Sequence, residues 1–452
     1  MAKFKVGAGI ANLDVPKERY PAHTQFAVCE DQYDACNVRA IAIETDAKKV
    51  LLMFYELSDL PEVPELERKI AEAVGYDPED IIITVTHNHT SPCDRGSRMA
   101  AEDERAAFRA RFFEIELAAS LKAAKMAVDS ARPAKYGYGE IDSYINANEI
   151  TRNPEIGYYC DPQGNGYSDK TLALLKFVDL DGNLICVMMN HCTHATCAMG
   201  RDANGKFATS GNFTGITSRY LEDYYGDGVV AAWTSGAAGN QHPLLTTFVM
   251  SYTDGYSAHV QLPDGAEHIL MQHVGRQHAV DAINGLTRIT EYSDDIELKH
   301  VKSSVKIENQ KNLTHGDRPP HMRADYGTGV RSNQPVPAPP FAAPEIVDDP
   351  EHPTTLLMEL LTLGDVAILG LGCELFCQIG RDIKAALPAK HTIVVTHTPG
   401  YVGDNPHAVG YIVDKSSIGS HNIKMYRNLK PGFYDELIVN AAKELYQKAA
   451  GN

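Results

Sequence analysis

The 452-residue chain is 44% hydrophobic and 22% charged, an ordinary globular composition with ample apolar material for a buried core. A formal net charge of −17 at pH 7 argues against nucleic acid and anionic membrane surfaces as partners, and no basic cluster opposes it. No apolar run approaches the roughly 20 residues that cross a bilayer, and the basic start, Met1 to Gly7, has no secretory h-region.

The nine cysteines are odd in number and include no Cys-x-x-Cys pair, which favours reduced thiols over a disulfide framework or a zinc ribbon. These bounds describe a cytoplasmic protein acting on a small molecule, with homo-oligomerisation left open.

Residues 4–13 and 36–55 read as strands, the second containing an alternating stretch (Val38 to Glu44) and a short buried run (Val50 to Tyr55). Leu66, Ile70 and Val74 put one apolar face on a helix over 61–74. The turn Asp77-Pro78-Glu79-Asp80 then feeds the strand Ile81 to Val85. A long amphipathic helix follows over 102–129.

Paired strands at 171–178 and 184–189 flank an Asp-Leu-Asp-Gly turn, then a helix spans 211–225 and a strand 229–233. A helix over 267–286 precedes a segment rich in proline, glycine and charge (310–353). Strands resume at 354–363, 366–369 and 391–395, and a last helix covers 434–449. This order of strands and helices predicts an α/β protein with a mixed, largely parallel sheet flanked by helices. The chain reads as one large domain over 1–452, with 310–353 an ordered excursion or lid.

Three buried runs end in side chains that carry chemistry. Ile81-Ile82-Ile83-Thr84-Val85 runs into Thr86-His87-Asn88-His89-Thr90. Residues two apart on a strand share a side, roughly 6.6 Å apart, so either both rings reach one metal or one ligates while the other orients substrate. The run Leu184 to Met189 ends in Asn190-His191-Cys192-Thr193-His194, where His191 or His194 is the candidate ligand. Burying such polar groups costs free energy unless they are paired.

Val366 to Gly372 leads into Cys373-Glu374. Alone, Glu374 reads as a helix-capping residue; beside two histidines it is a third, anionic ligand, and His/His/carboxylate sets are typical of catalytic zinc. Tyr401 and Tyr411 follow the strand at 391–395; a phenolate ligand needs an adjacent cation.

With these residues in view, the sequence resembles the catalytic domain of the neutral, non-lysosomal ceramidase superfamily, whose members are zinc amidases. Gly7 to Asp14 is similar to that family's first strand, and Thr86 to Pro92 to its Thr-His-Thr-His-Ser-Gly-Pro signature. Asn190 to His194 with Thr196 is similar to its second histidine motif, Gly236 to Asn240 to its Gly-Ala-Ala-Gly-Asp loop, and Gly410-Tyr411-Ile412 to its tyrosine motif.

The resemblance implies one Zn2+ per chain held by His87, His194, Glu374 and Tyr411. It puts His89 near the substrate and makes Arg152 a group that binds an acyl carboxylate or carbonyl. His242 stands where the family loop has serine, and the sequence stops short of the family's C-terminal immunoglobulin-like domain.

The expectation is therefore a zinc-dependent hydrolase that uses metal-activated water on a small polar amide, or a related carbonyl compound, instead of ceramide. His89 or His242 would serve as general acid, and the 310–353 segment would close over the site. The alternatives are a metal-dependent lyase, isomerase or C–O hydrolase acting on a sugar-like compound, and a non-catalytic metal-binding protein.

Overall fold

A computed structural model describes residues 3–25, 27–60, 62–93, 96–97, 100–153, 157–160, 166–198, 200–201, 204–226, 228–246, 251–253, 256–258, 263, 265–312, 346–398, 409–417 and 434–451. For 150–153, 157–160, 251–253, 256–258, 310–312 and 346 it describes the backbone only.

The main strands and helices, in chain order, are β1 (Phe4–Asn12), β2 (Asn37–Thr45), β3 (Lys49–Tyr55), α1 (Val63–Val74), β4 (Ile81–Val85), α2 (Glu102–Asp129), β5 (Arg132–Asp142), β6 (Thr171–Asp179), β7 (Leu184–His191), α3 (Asn212–Tyr225), β8 (Val230–Ser235) and α4 (Ala266–Arg288). They continue with β9 (Leu298–Asn312), β10 (Ile346–Leu363), β11 (Val366–Leu371), α5 (Cys377–Ala386), β12 (His391–Thr396) and α6 (Asp435–Ala450).

An eight-stranded sheet has the order β8-β7-β6-β5-β1-β2-β3-β4, and a four-stranded sheet the order β9-β10-β11-β12. The two sheets pack face to face across a shared core. Phe4, Ile41, Leu52, Phe54, Leu175 and Met188 come from the larger sheet; Leu361, Ile368, Ile393 and Val395 come from the smaller. On the outer face of the larger sheet lie α1 and α2 over one half and α3 and α4 over the other. Helices α5 and α6 cover the outer face of the smaller one.

Strand β3 shows how the sequence produces this layering. Successive side chains point to opposite faces, so Val50, Leu52 and Phe54 enter the inter-sheet core while Leu51, Met53 and Tyr55 face α1 and α2. An uninterrupted apolar run is what a strand buried on both faces requires. The glycines of β1 serve α2: a Cβ on Gly7 would lie 2.0 Å from the Ala127 carbonyl oxygen, and one on Gly9 2.2 Å from that of Ala123.

The α/β class and the mixed sheet match the sequence reading; the balance of strand directions does not. In the larger sheet only the two outer pairings, β7 with β8 and β3 with β4, are parallel. The pairings between them are antiparallel. The reason lies in hairpin-like neighbours such as β2–β3 and β6–β7, which buried runs alone do not distinguish from crossover strands.

The 310–353 excursion is also narrower than expected. Strand β9 runs to Asn312 and β10 begins at Ile346, paired Asn312 with Ile346, so only 313–345 fall outside the described residues. The strand continues through Pro350 and Pro353 because the ladder is interrupted there, resuming at Ile307–Thr354. Among the described residues no helix is long and apolar enough to cross a membrane.

Candidate metal centre

The carboxyl ends of β4, β7, β11 and β12 converge. Each ends a buried run, and just beyond them lie His87, His194, Glu374 and His397. Cores exclude such groups unless they are paired or bind an ion, so four in one place mark the point where the folding pattern yields to function.

His87 and His397 have φ of 56° and 61°, and they share this backbone region among the described non-glycine residues only with Asn212. Positive φ is strained for a side chain of this kind, and strain of this sort concentrates at functional sites. The two histidine rings stack with centroids 4.3 Å apart at 14°.

His87 Nδ1 lies 2.8 Å from the Ser58 carbonyl oxygen, and His194 Nδ1 lies 2.7 Å from that of Ala238. A carbonyl only accepts, so both Nδ1 atoms carry the proton and both Nε2 atoms of the neutral rings present a lone pair. Those Nε2 atoms face Glu374 Oε2 at 3.6 Å and 3.2 Å respectively. His89 Nε2 lies 3.1 Å from His87 Nε2.

Burial pushes the Glu374 carboxyl up, and only positive charge on the His87 and His194 side of it, carried by those rings or by a cation in their place, holds it well below the usual carboxylate range. Burial, with His87 next to it, drives His397 well below the ordinary imidazole value and so keeps it neutral. Possible ligand atoms lie within 4.8 Å of one another in two sets, His87–His89–His194 and His87–Glu374–His397. Lone pairs turned toward a carboxylate in a buried space repel one another, and a cation removes that repulsion. The donor set therefore fits a metal ion.

Two loops hold these groups in place. Asn88, fully buried, donates to the Ser210 carbonyl and accepts from the Thr90 backbone, which fixes the turn between His87 and His89. The Gly236 to Gln241 loop ties the second histidine to the carboxylate. Its Ala238 carbonyl accepts a hydrogen bond from His194 Nδ1, Gly239 N donates to Leu375 O, and Asn240 Oδ1 accepts from Cys377 N at the start of α5.

Glu374 does not cap a helix. It forms a short parallel bridge with Tyr411, and α5 starts three residues later at Cys377. The Tyr411 ring centroid lies 6.2 Å from that of His194.

His191 sits apart from the cluster. Its Nδ1 meets Thr193 Oγ1 at 2.6 Å, its Nε2 meets the Ser143 carbonyl at 3.1 Å, and burial pushes it down to about 4. His242 is next to the cluster, its ring 5.7 Å from that of His194 at 19°. Arg152 lies on the short strand Ile150–Asn153, and its side chain lies outside the described residues, as does Tyr401 altogether.

Two site residues escaped the sequence reading. His397 carries the same signature as the others, an apolar strand (Ile393 to Val395) ending in Thr396-His397, and that rule applied once more would have found it. Glu149, which pairs with His242 Nε2 at 2.7 Å, has no such signal, because its partner is 93 residues away in sequence.

No family model matches the chain, and no curated protein matches it. Solved structures do. One described as ceramidase complexed with C2 superposes with a TM-score of 0.70 at 17% identity, covering 100% of this chain and 75% of the other. The neutral ceramidase of Pseudomonas aeruginosa does so with a TM-score of 0.68 at 18% identity, covering 99% and 75%. This chain has the neutral ceramidase fold. In it the strand ends that carry His87, His194, Glu374 and His397 meet where the two sheets abut, with Thr84 Oγ1 of β4 donating to Thr396 O of β12.

Proposed function

We propose that this protein is a metal-dependent hydrolase, with zinc as its ion, that cleaves a small polar amide or a related carbonyl compound. The observation that carries this reading is the buried arrangement of His87 and His194 lone pairs around the Glu374 carboxylate. The names of the two solved structures reported above, both ceramidases, support amide cleavage as the reaction class.

His87, His194 and Glu374 would hold the ion, with Tyr411 beside Glu374 as the fourth ligand. When bound, a divalent cation supplies Lewis acidity, polarising a scissile carbonyl and bringing the pKa of bound water toward neutrality. The backbone carbonyls of Ser58 and Ala238 fix the tautomer of the two rings, so no reorganisation is needed to present their lone pairs. His89, only partly buried, borders the same space and orients substrate, and His242 serves the leaving amine. Arg152 would bind the carboxylate or carbonyl of the acyl part.

Elemental analysis of the purified chain should return one zinc per chain, and a panel of short N-acyl compounds should reveal turnover that a chelator removes. Alanine at His87 or His194 should remove both. Turnover that survives chelation and both substitutions overturns the proposal.

A further inference from the structure

Helix α4 packs one face onto the larger sheet and turns the other outward. Met271, Val274, His278, Ala279 and Ala282 are buried, while Ile269 and Val280 keep 72% and 42% of their surface exposed. Steps of three or four residues, from Ile269 through Gln272 or His273 and Arg276 to Val280, put these side chains in one stripe along the helix. With Tyr33 as a side wall, that stripe lines a groove of about 520 Å3. The Tyr33 ring stacks on that of His268 with centroids 3.4 Å apart, and its backbone N donates to the Thr209 carbonyl oxygen, so the wall is fixed. Large apolar side chains left in water around such a groove mark an interaction surface.

Two-fold symmetry selects the occupant. In a dimer with a two-fold axis one surface meets itself, so a contact of residue i with j requires a contact of j with i. Two antiparallel α4 helices meet this condition when the positions of facing residues add to a constant. The stripe satisfies it at one register: Ile269 faces the partner's Val280, Gln272 the partner's Gln277, and His273 the partner's Arg276. Apolar then meets apolar at both ends. Gln277 Nε2 donates to Asp281 at 3.2 Å within its own helix, which leaves Gln277 Oε1 to accept from the partner's Gln272. In the middle a guanidinium, which only donates, meets an imidazole, which accepts when neutral.

Charge points the same way. Two chains of net charge −17 repel each other, and the face on which they meet has to be free of carboxylates at its centre. Among the described residues no carboxylate lines the groove, and Arg276 is its one permanently charged group.

We propose that this face of α4 is the two-fold interface of a homodimer, with Ile269 and Val280 of the two copies packed across it. None of these residues belongs to the metal cluster, so the proposal stands apart from the metal-hydrolase reading.

Sedimentation equilibrium of the full chain should give twice the chain mass at micromolar concentration. I269K and V280E each set a charge against an apolar side chain twice per dimer, and each should weaken the dimer roughly a hundredfold. Both positions are exposed, so the far-ultraviolet circular dichroism of each variant should match that of the unaltered chain.

Mixing tests the register. Equal parts of I269K and V280E should re-form a dimer, because lysine then faces glutamate and the second contact is native; I269K mixed with V280K should not. An unaltered chain that is monomeric throughout overturns the proposal. So does a dimer that both substitutions leave intact, or an I269K–V280E mixture that dimerises no better than the I269K–V280K mixture.

Discussion

The buried Glu374 carboxylate and the buried His194 imidazole face each other at 3.2 Å, although Nδ1 of that ring already donates its hydrogen bond to the Ala238 carbonyl. Two acceptors held this way are poised for a positive charge between or beside them. Replacing Glu374 with glutamine keeps the volume but removes the anion and adds a donor toward the rings. E374Q should bind zinc roughly ten- to a hundredfold more weakly, by analogy with lost ligand-shell contacts, while the metal-stripped protein melts no lower than the unaltered one. Competition against a chromophoric chelator, with a thermal melt of the stripped protein, checks both. Unchanged zinc affinity would remove Glu374 from the ligand set.

Gly239 joins the two halves of the site. A Cβ there would lie 2.5 Å from the Glu374 carbonyl oxygen, so alanine must displace the segment that carries the carboxylate. Overpacking of this kind costs about 1–3 kcal/mol. G239A should therefore lower the melting temperature and weaken zinc binding together, as read by calorimetry and metal stoichiometry. A lower melt with unaltered zinc affinity would show that the loop does not set the ligand geometry.

Most of this architecture follows from local rules. Runs such as Leu184 to Met189 are apolar at every position, and the layered fold buries both of their faces, so strand identity was readable. His87 and Glu374 were readable for the converse reason: each follows such a run with a group that a core would exclude, whereas that rule left His191 and His194 level and only the family resemblance favoured His194. Strand direction was not, since nothing within β2 or β6 records whether its neighbour runs parallel. Glu149 was hidden because its meaning depends on a strand pairing with His242, a non-local fact. The extension of β10 back to Ile346 was hidden because its outer end is exposed and lacks apolar alternation.

Arg39 lies on β2 with almost no exposed surface, and three carboxylate contacts hold it there. Its Nε and Nη2 donate to Glu222 of α3 at 2.6 Å and 3.0 Å, and its Nη1 donates to Glu56, which also accepts from Asn37 N at 2.9 Å. The network links the middle of the larger sheet to the helix that covers it. Alanine at Arg39 leaves the buried Glu56 carboxylate and the half-buried Glu222 carboxylate without their main counter-charge, a change that costs about 3–5 kcal/mol. Urea unfolding of R39A should show that loss. A change below about 1 kcal/mol would mean that Arg219, 3.8 Å from Glu56, takes over the role.

His300 on β9 supplies a pH signature away from the metal centre. Its Nδ1 faces Asp80 at 3.3 Å and its Nε2 faces Glu359 at 3.1 Å, with Lys48 on Asp80 and Lys302 nearby. Burial lowers the imidazole value, but the two carboxylates outweigh it and leave His300 above its ordinary value. A raised folded value means that protonation favours the folded state. Its contribution is complete below the unfolded value of about 6.5 and is lost as pH rises through the folded one. Asp80 behaves oppositely: burial is outweighed by His300 and Lys48, its carboxyl is lowered, and its contribution fades as pH falls below about 3.9. Both contributions are therefore present together between about pH 4 and 6.5. Unfolding free energy measured by urea titration should be lower for H300Q than for the unaltered chain at pH 6. The gap should narrow steadily toward pH 9, because the unaltered chain alone loses the imidazolium. A gap constant across that range would mean that His300 is neutral in the folded protein throughout.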